Sequence, residues 1–196
     1  MGRRLPRSFY ARPTLVVARA LLGKSLVFDH PEGRRTVRIV ETEAYRGSRD
    51  PASHAFRGIT PRTAAMFGRP GHSYVYLVYG MYHCLNVVTE RDGVAGAVLL
   101  RGAEPVAGLD DQGERALAGP GRLARALGLS TAHTGLDLVR SPLHLHAPAG
   151  AAGTGRILTG PRIGLSAGAT KDEPWRFWIA GSPGVSRVGT GGRSRG

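Results

Sequence analysis

Residues 72–89 read HSYVYLVYGMYHCLNVVT, and this stretch has the strongest pattern in the chain. Valine and tyrosine dominate it, and β-branched and aromatic side chains suit the pleated surface of a sheet. Gly80 interrupts the run, as glycine does where a strand bulges or bends. The stretch therefore predicts β-structure that is broken at Gly80.

Shorter patterns on both sides of that stretch predict the rest of the fold. The sequence HPEG at residues 30–33 separates two β-like runs, which is typical of a hairpin. Strands are predicted over residues 25–29, 36–44, 95–101 and 176–180, and helices over residues 13–22 and 120–127. The fold class is therefore α+β, a single domain with a curved, mainly antiparallel β-sheet and flanking helices.

The two ends of the chain differ in composition from the middle. Residues 1–12 are basic and broken by proline, and residues 188–196 are basic and rich in glycine. We therefore expect a flexible basic arm and a flexible basic tail around a domain of residues 13–187. Residues 46–72 are polar and rich in glycine, proline and arginine, which predicts a long surface loop. Loops of that length in a compact domain are usually functional or disordered.

The charge of the chain suggests a class of partner. The 196 residues carry a formal net charge of +13, and nearly all of the 27 basic residues are arginine, the exceptions being Lys24 and Lys171. Such a balance is typical of proteins that meet phosphate backbones or anionic membranes. A GC-rich coding sequence also produces an arginine-rich chain, so charge alone leaves both explanations open.

Several classes of protein are disfavoured by what the sequence lacks. Cys84 is the single cysteine, which excludes an intramolecular disulfide and a cysteine-based zinc site. The histidines lack metal-ligand spacing, and the glycines form neither a P-loop nor a dinucleotide-binding fingerprint. No stretch approaches the roughly 20 apolar residues of a membrane span. We expect a soluble, cytoplasmic protein.

The predicted strand ending ETEAY carries the first candidates for chemistry. Side chains alternate along a strand, so Glu41, Glu43 and Tyr45 project from the same face. One interpretation is a solvated face, or two glutamates paired with arginines. The other is that one glutamate acts as a general base, since an ordinary glutamate pKa of about 4.3 leaves the carboxylate ionised at neutral pH.

Five of the six tyrosines form the second candidate group: Tyr45, Tyr74, Tyr76, Tyr79 and Tyr82. Packing in the core is one interpretation of such a cluster. A core more often uses Phe or Leu, because each buried phenol needs a hydrogen-bond partner. The other interpretation is a slot in which a flat base stacks on aromatic rings.

Taken together, these motifs give the chain a resemblance to the alkyladenine (3-methyladenine) DNA glycosylase family. It covers nearly all of the chain between the basic arm and the tail. The matching segments are RPTLVVARALLGK (12–24), RIVETEAYRG (38–47), TPRTAAMFGRPGHSYVYLVYGMY (60–82), VLLRGAEP (98–105), GPGRLARALGL (119–129), TGLDL (134–138) and PWRFWIAGSPGVSR (174–187).

The resemblance implies a role for each candidate residue. Glu43 would deprotonate the attacking water, and Arg101 would lie near that water and a backbone phosphate. The flipped base would be sandwiched by Tyr45, His54 and Tyr76. Asn86 would reject normal guanine, and Tyr79 would be wedged into the gap in the DNA.

The resemblance also implies the reaction and the partner. It implies a base excision repair enzyme that binds double-stranded DNA containing a damaged purine, without a metal or an organic cofactor. Base flipping would expose 3-methyladenine or 7-methylguanine for hydrolysis. Acceptance of neutral hypoxanthine is left open, because its departure needs more acid assistance. We expect a monomer of bacterial type that is cytoplasmic, and nucleoid-associated when bound to DNA.

Lysine content bears on whether the enzyme also cuts the strand. Strand cleavage through a Schiff base needs an amine nucleophile, and neither Lys24 nor Lys171 lies in a matching site motif. A monofunctional glycosylase without lyase activity is expected.

Two other classes of protein also fit parts of the sequence: a non-enzymatic binder of distorted nucleic acid and a sugar-cleaving hydrolase. In a nucleic-acid binder, Glu41 and Glu43 would repel the phosphates. In a sugar-cleaving hydrolase, an acid and a base flank the scissile bond, whereas two glutamates on one strand face would lie on the same side of it.

Overall fold

A computed structural model describes residues 2–109, 113, 115–148, 155–165 and 170–187. Within them, eight strands form one sheet in which every pairing is antiparallel. The strands are β1 (Ser25–His30), β2 (Gly33–Tyr45), β3 (Ser73–Val78), β4 (Tyr82–Val88), β5 (Ala97–Ala107), β6 (Leu143–His146), β7 (Ile157–Gly160) and β8 (Arg176–Ile179). The helices are α1 (Arg7–Tyr10), α2 (Thr14–Leu21) and α3 (Pro120–Leu127). The α+β class with a curled antiparallel sheet is confirmed.

Strand β2 lies at the centre of the sheet. The order is β3-β4-β5-β2-β1-β6, and β8 also pairs with β2 and with β7. The β2–β5 register shifts on both sides of Glu41 and leaves Val40 and Arg101 without a direct Cα partner. Bulges of this kind bend a strand and re-aim its side chains, often beside active sites. The irregularity therefore falls where the candidate catalytic residues lie.

The predicted interruption at Gly80 is a hairpin turn. Strands β3 and β4 pair from Ser73 with Val87 to Val78 with Tyr82. Tyr79 and Gly80 have φ angles of 52° and 69°. Positive φ at both central residues is the pattern of a type I′ turn, whose twist matches that of the flanking strands. The hairpin predicted between β1 and β2 is confirmed as well, with His30 opposite Gly33.

Helices α2 and α3 bury apolar faces against the sheet. In α3, Leu123, Ala124 and Leu127 are buried, and Gly128 ends the helix with a left-handed φ of 74°. The hydroxyl of Thr42 on β2 donates to the carbonyl of Ala18 in α2. Both helices were predicted, and α3 has the predicted bounds.

The N-terminal segment differs from the flexible arm expected for residues 1–12. Leu5 and Tyr10 are buried in the main core. The amide of Leu5 donates to the carbonyl of Leu145 in β6, and Arg7 pairs with Asp137 at 2.6 Å. Two apolar anchors therefore pack a segment whose basic composition suggested disorder. The expected tail, residues 188–196, lies outside the described residues.

The long loop of residues 46–72 is packed rather than extended. It contains three 3-10 helices, Gly47–Arg49, His54–Arg57 and Ala64–Phe67. Ala55 and Met66 enter a second, smaller core under β3 and β4. This packing places the loop beside the C-terminal end of β2.

In the described part of the chain, no helix is long and apolar enough to cross a membrane.

Candidate active site

Glu43 lies near the end of β2 and is fully buried. Its Oε1 accepts a hydrogen bond of 2.8 Å from the backbone amide of Ile163. Its Oε2 accepts one of 3.0 Å from the phenol of Tyr45, and Nη1 of Arg101 lies 3.4 Å from Oε1. The carboxylate is thus held by three groups from three separate segments of the chain.

The surroundings of Glu43 make it a stronger base than an ordinary glutamate. Burial raises the pKa of Glu43, against the opposing effects of the Arg101 charge and the hydrogen bonds from Ile163 and Tyr45. The charge of Glu41 raises the pKa further. A higher pKa strengthens a base as long as partners of opposite charge keep it ionised. The ordinary glutamate pKa assumed from the sequence is therefore too low for Glu43.

A cavity of about 510 Å³ lies next to Glu43. Tyr45, Arg101 and Ile163, the three residues that contact the carboxylate, all line it. Its walls also include His54 and Tyr76 and its mouth Tyr79 and Arg62. Pockets for small organic groups have about this size, roughly 300–1,000 Å³. The cavity is large enough for a purine.

A second, much smaller cavity continues behind the first. It measures about 20 Å³ and shares the Tyr45, His54 and Tyr76 walls, with Asn86 behind them. That volume holds about one water molecule. The rings of His54 and Tyr76 meet edge to face, with centroids 4.5 Å apart. The rings of Tyr45, His54 and Tyr76 therefore line both cavities.

The histidine in this aromatic wall is favoured in its neutral form. Burial and the positive charge of Arg62 both lower the pKa of His54. Its Nδ1 shares a hydrogen bond of 3.2 Å with the hydroxyl of Tyr74. A neutral imidazole does not repel a cationic ligand. The wall is therefore compatible with an alkylated, positively charged purine.

Tyr79 stands at the tip of the β3–β4 hairpin, with 84% of its surface exposed. Its φ of 52° is unusual for a residue other than glycine and costs of order 1–3 kcal/mol. Strain of this kind tends to persist at functional sites. The neighbouring Leu77, Met81 and Tyr82 are exposed as well. The hairpin therefore presents an apolar tip beside the cavity mouth.

Sequence reasoning missed a buried ion pair that supports the site from behind. Arg162 donates to both carboxylate oxygens of Asp50, at 2.6 and 2.9 Å. Its guanidinium also lies over the Tyr45 ring, 4.6 Å from the centroid, and over the Trp175 ring at 4.9 Å. Ile163, the next residue, donates to Glu43. No sequence motif predicts this ion pair, because Asp50 and Arg162 are 112 residues apart.

The structure decides between the two interpretations of the ETEAY strand in part. Glu41 and Glu43 are both fully buried, so the solvated face is wrong. Arginines pair with both carboxylates, as the structural interpretation allowed. Tyr74 is buried in the smaller core and also lines the smaller cavity, while Tyr76 packs against that core and lines both cavities. Core packing is therefore confirmed for Tyr74, and stacking of a base on these rings stays a prediction.

The cavities gather the residues that the sequence singled out. The larger one is lined by Tyr45, His54, Tyr76, Tyr79 and Arg101, and Asn86 lines the smaller. Among the described residues, no group of three His, Cys, Asp or Glu side chains is arranged to hold a metal ion.

Comparison with known proteins gives the site a context. A model of the methylpurine-DNA glycosylase family matches residues 8–183. A protein of Myxococcus xanthus is 52% identical over 192 residues, covering 97% of each chain. One of Methanocella arvoryzae is 48% identical over 197 residues, covering 95% of this chain and 98% of its own. Both carry the name "Putative 3-methyladenine DNA glycosylase".

These matches cover almost the whole described domain. They define a DNA repair hydrolase, a DNA glycosylase for alkylated bases. The chain belongs to the methylpurine-DNA glycosylase family. The family predicted from the sequence motifs is confirmed.

Proposed function

We propose that the chain hydrolyses the N-glycosidic bond of an alkylated purine that has been flipped out of duplex DNA, with Glu43 as the base that activates water. The observation that carries this proposal is the buried Glu43 carboxylate, whose contacting residues line an aromatic cavity of about 510 Å³. A base inside the stack is out of reach, so the nucleotide must leave the duplex first.

The proposed step forms one bond to C1′, breaks another and transfers one proton. Glu43 accepts a proton from water as the water oxygen bonds to C1′ of the deoxyribose. The C1′–N bond breaks, and its electron pair leaves with the purine. Alkylation at a ring nitrogen makes the purine cationic, so it departs as a neutral molecule. The Glu43 carboxylate also stabilises the positive charge that develops on the sugar.

Aromatic walls select the substrate. The π faces of Tyr45 and Tyr76 favour a cationic ring over a neutral one. Asn86 donates to the backbone carbonyls of Tyr74 and Cys84, which fixes its amide in the smaller cavity. We propose that this fixed amide rejects the exocyclic amino group of normal guanine. 3-Methyladenine and 7-methylguanine are the proposed substrates.

Tyr79 is the proposed wedge, and cleavage is proposed to stop at the abasic site. The exposed Tyr79 ring can fill the gap that the flipped nucleotide leaves.

Lys24 and Lys171 are absent from the described lining of the cavity, and Lys171 lies 4.0 Å from Asp172. Without an amine near C1′ there is no Schiff base to carry strand cleavage. The protein is proposed to act as a monomer.

Base release from duplex DNA tests this proposal. Duplexes would contain 3-methyladenine, 7-methylguanine or hypoxanthine, with released bases separated by chromatography and strands analysed before and after alkali. The proposal predicts release of the alkylated bases and strand breaks that depend on alkali. Breaks without alkali would refute the monofunctional assignment. Tight lesion binding without release would favour the non-enzymatic binder.

A further inference from the structure

The second buried glutamate of β2 is tied into a separate cluster. Glu41 is fully buried, and its Oε1 accepts from Nη1 of Arg176 at 3.0 Å and from the hydroxyl of Ser186 at 2.9 Å. Its Oε2 accepts from the amide of Ser186 at 2.7 Å. Glu41 has no contact with either cavity. Both of its carboxylate oxygens accept hydrogen bonds from the protein, and Glu41 is placed away from the cavity that Tyr45 and Arg101 line.

Arg101 connects this cluster to the candidate base. Its Nε donates to the hydroxyl of Ser186 at 3.0 Å and lies 3.5 Å from Oε1 of Glu41. Its Nη1 lies 3.4 Å from Oε1 of Glu43. Both distances to carboxylates exceed those of a tight charged hydrogen bond, about 2.7–2.9 Å. One guanidinium is therefore shared between two carboxylates and held closely by neither.

The approach of Ser186 depends on two glycines. A Cβ on Gly102 would collide with the carbonyl of Gly184, and one on Gly184 with the carbonyl of Ala103. Only glycine permits such a close approach of two backbones. The same region contains the register shift of β2 against β5. Both features bring Glu41, Ser186 and Arg101 together.

The charges of the cluster balance. Glu41 and Glu43 face Arg101 and Arg176, and each of the four side chains is at most 12% exposed. Removing one member of a buried ion pair leaves an uncompensated charge. Without the Glu41 charge, Glu43 would be the one carboxylate among the described residues that pairs with Arg101, and Arg176 would lose its charged partner. Arg101 would then pair closely with Glu43.

We propose that Glu41 is a positioning residue for the reaction: with Ser186 it holds Arg101 away from a close pair with Glu43, so that the Glu43 carboxylate remains available to water. This inference rests on the proposed function of Glu43. The other charged and titratable groups near Glu43 are Tyr45, Tyr76, Cys84 and Arg176. Of these, Arg176 is paired with Glu41, so Glu41→Gln removes its charged partner, and the unbalanced Arg176 charge acts on Glu43 in the same direction as Arg101.

The pH dependence of single-turnover base release tests this inference. Glu41→Gln removes a charge that raises the pKa of Glu43 and frees Arg101 to lower it. The acidic limb of the rate profile should therefore move to lower pH, and the rate on its plateau should fall by about 10²-fold, the scale of a small misplacement. The substrate is duplex DNA carrying 7-methylguanine, whose own titration is common to all variants.

Three further variants separate positioning from a purely structural role. Glu41→Asp keeps the charge, so its acidic limb should stay at the wild-type pH while its rate falls. Ser186→Ala removes the hydroxyl that Arg101 donates to, so its rate should fall and its acidic limb should move to lower pH by less than in Glu41→Gln, because the Glu41 charge remains. Asp137→Asn, a matched loss of a carboxylate that pairs with Arg7, should leave both the limb and the rate unchanged.

Each outcome bears on one proposal. An acidic limb that stays at the wild-type pH in folded Glu41→Gln overturns the positioning role. If that variant does not fold, an unchanged rate for Ser186→Ala overturns it instead. Wild-type protein that releases no base refutes the proposed function. Wild-type release with wild-type behaviour of all the variants refutes only the role of Glu41.

Discussion

The phenol of Tyr45 donates a hydrogen bond of 3.0 Å to Oε2 of Glu43, two residues earlier on the same strand. Alternation along β2 places both side chains on one face. Tyr45 also lines both cavities, so one side chain connects the candidate base to the wall of the base pocket. Its own pKa is raised well above the ordinary value by burial and by the Glu43 charge, which keeps the phenol protonated as a donor.

Replacement of Tyr45 by phenylalanine should shift the pH dependence upward. The hydrogen bond from Tyr45 lowers the pKa of Glu43, so its loss raises that pKa. The acidic limb of single-turnover base release should move to higher pH, opposite to the shift expected for Glu41→Gln. A limb that stays in place would show that the hydrogen bond does not act on the ionisation of Glu43.

Replacement of Tyr79 by alanine should weaken binding to duplex DNA more than binding to single strands. Stacking of an aromatic ring on a base contributes about 1–3 kcal/mol, so we expect the Kd for lesion-containing duplex to rise roughly 5- to 150-fold. Tyr79→Phe retains the ring and serves as the matched control. Equal losses on duplex and single strands would argue against a wedge.

Loss of the buried Asp50 carboxylate should destabilise the domain. Asp50→Asn leaves the Arg162 charge unpaired inside the protein, which costs about 3–5 kcal/mol. Urea denaturation followed by circular dichroism measures the change in the free energy of unfolding. Leu5→Ala, in the core but away from this pair, is a control for general destabilisation. A change within 1 kcal/mol would contradict a stabilising role for the pair.

The same pair predicts how stability depends on pH. Burial acts to raise the pKa of Asp50, but the hydrogen bonds and charge of Arg162 outweigh it and the pKa is lowered. A carboxylate with a lowered pKa contributes stability above its unfolded-state pKa and loses it as the pH falls through the folded-state value. The difference between wild type and Asp50→Asn should therefore shrink in acid.

Binding to undamaged DNA should depend steeply on salt. Each phosphate neutralised by arginine contributes a slope of about −0.9 to a plot of log K against log salt. The net charge of +13 provides many candidates for such contacts, among them Arg62 at the cavity mouth. Fluorescence anisotropy across a salt series measures the slope. A flat response would mean that the charge reflects coding composition.

Local patterns predicted those elements whose residues contact one another nearby in sequence. The β1–β2 hairpin, the interruption at Gly80 and helix α3 all depend on short-range turn chemistry and apolar spacing. Strand β6 has four residues and pairs with β1 across more than 100 residues. It carries no local signal strong enough to predict it.

In the candidate site, too, the sequence predicted residues that belong to local motifs and missed contacts between residues distant in sequence. Glu43, Tyr45 and Tyr76 were predicted because strand alternation and family motifs act locally. The amide of Ile163, the Asp50–Arg162 pair and the Ser186 contact with Glu41 join residues more than 100 positions apart. A backbone amide has no signature in a sequence. Packing of Leu5 and Tyr10 was missed because their basic neighbours dominated the composition.

The role of Glu43 as the general base is best tested with Glu43→Gln, with rate and affinity measured on the same preparation. Glutamine keeps the size of the side chain but cannot accept a proton from water. Single-turnover release of 7-methylguanine should fall by at least 10²-fold, the lower range for a general base, while the Kd for the lesion duplex stays within about threefold of wild type. Release at the wild-type rate by folded Glu43→Gln would contradict the account.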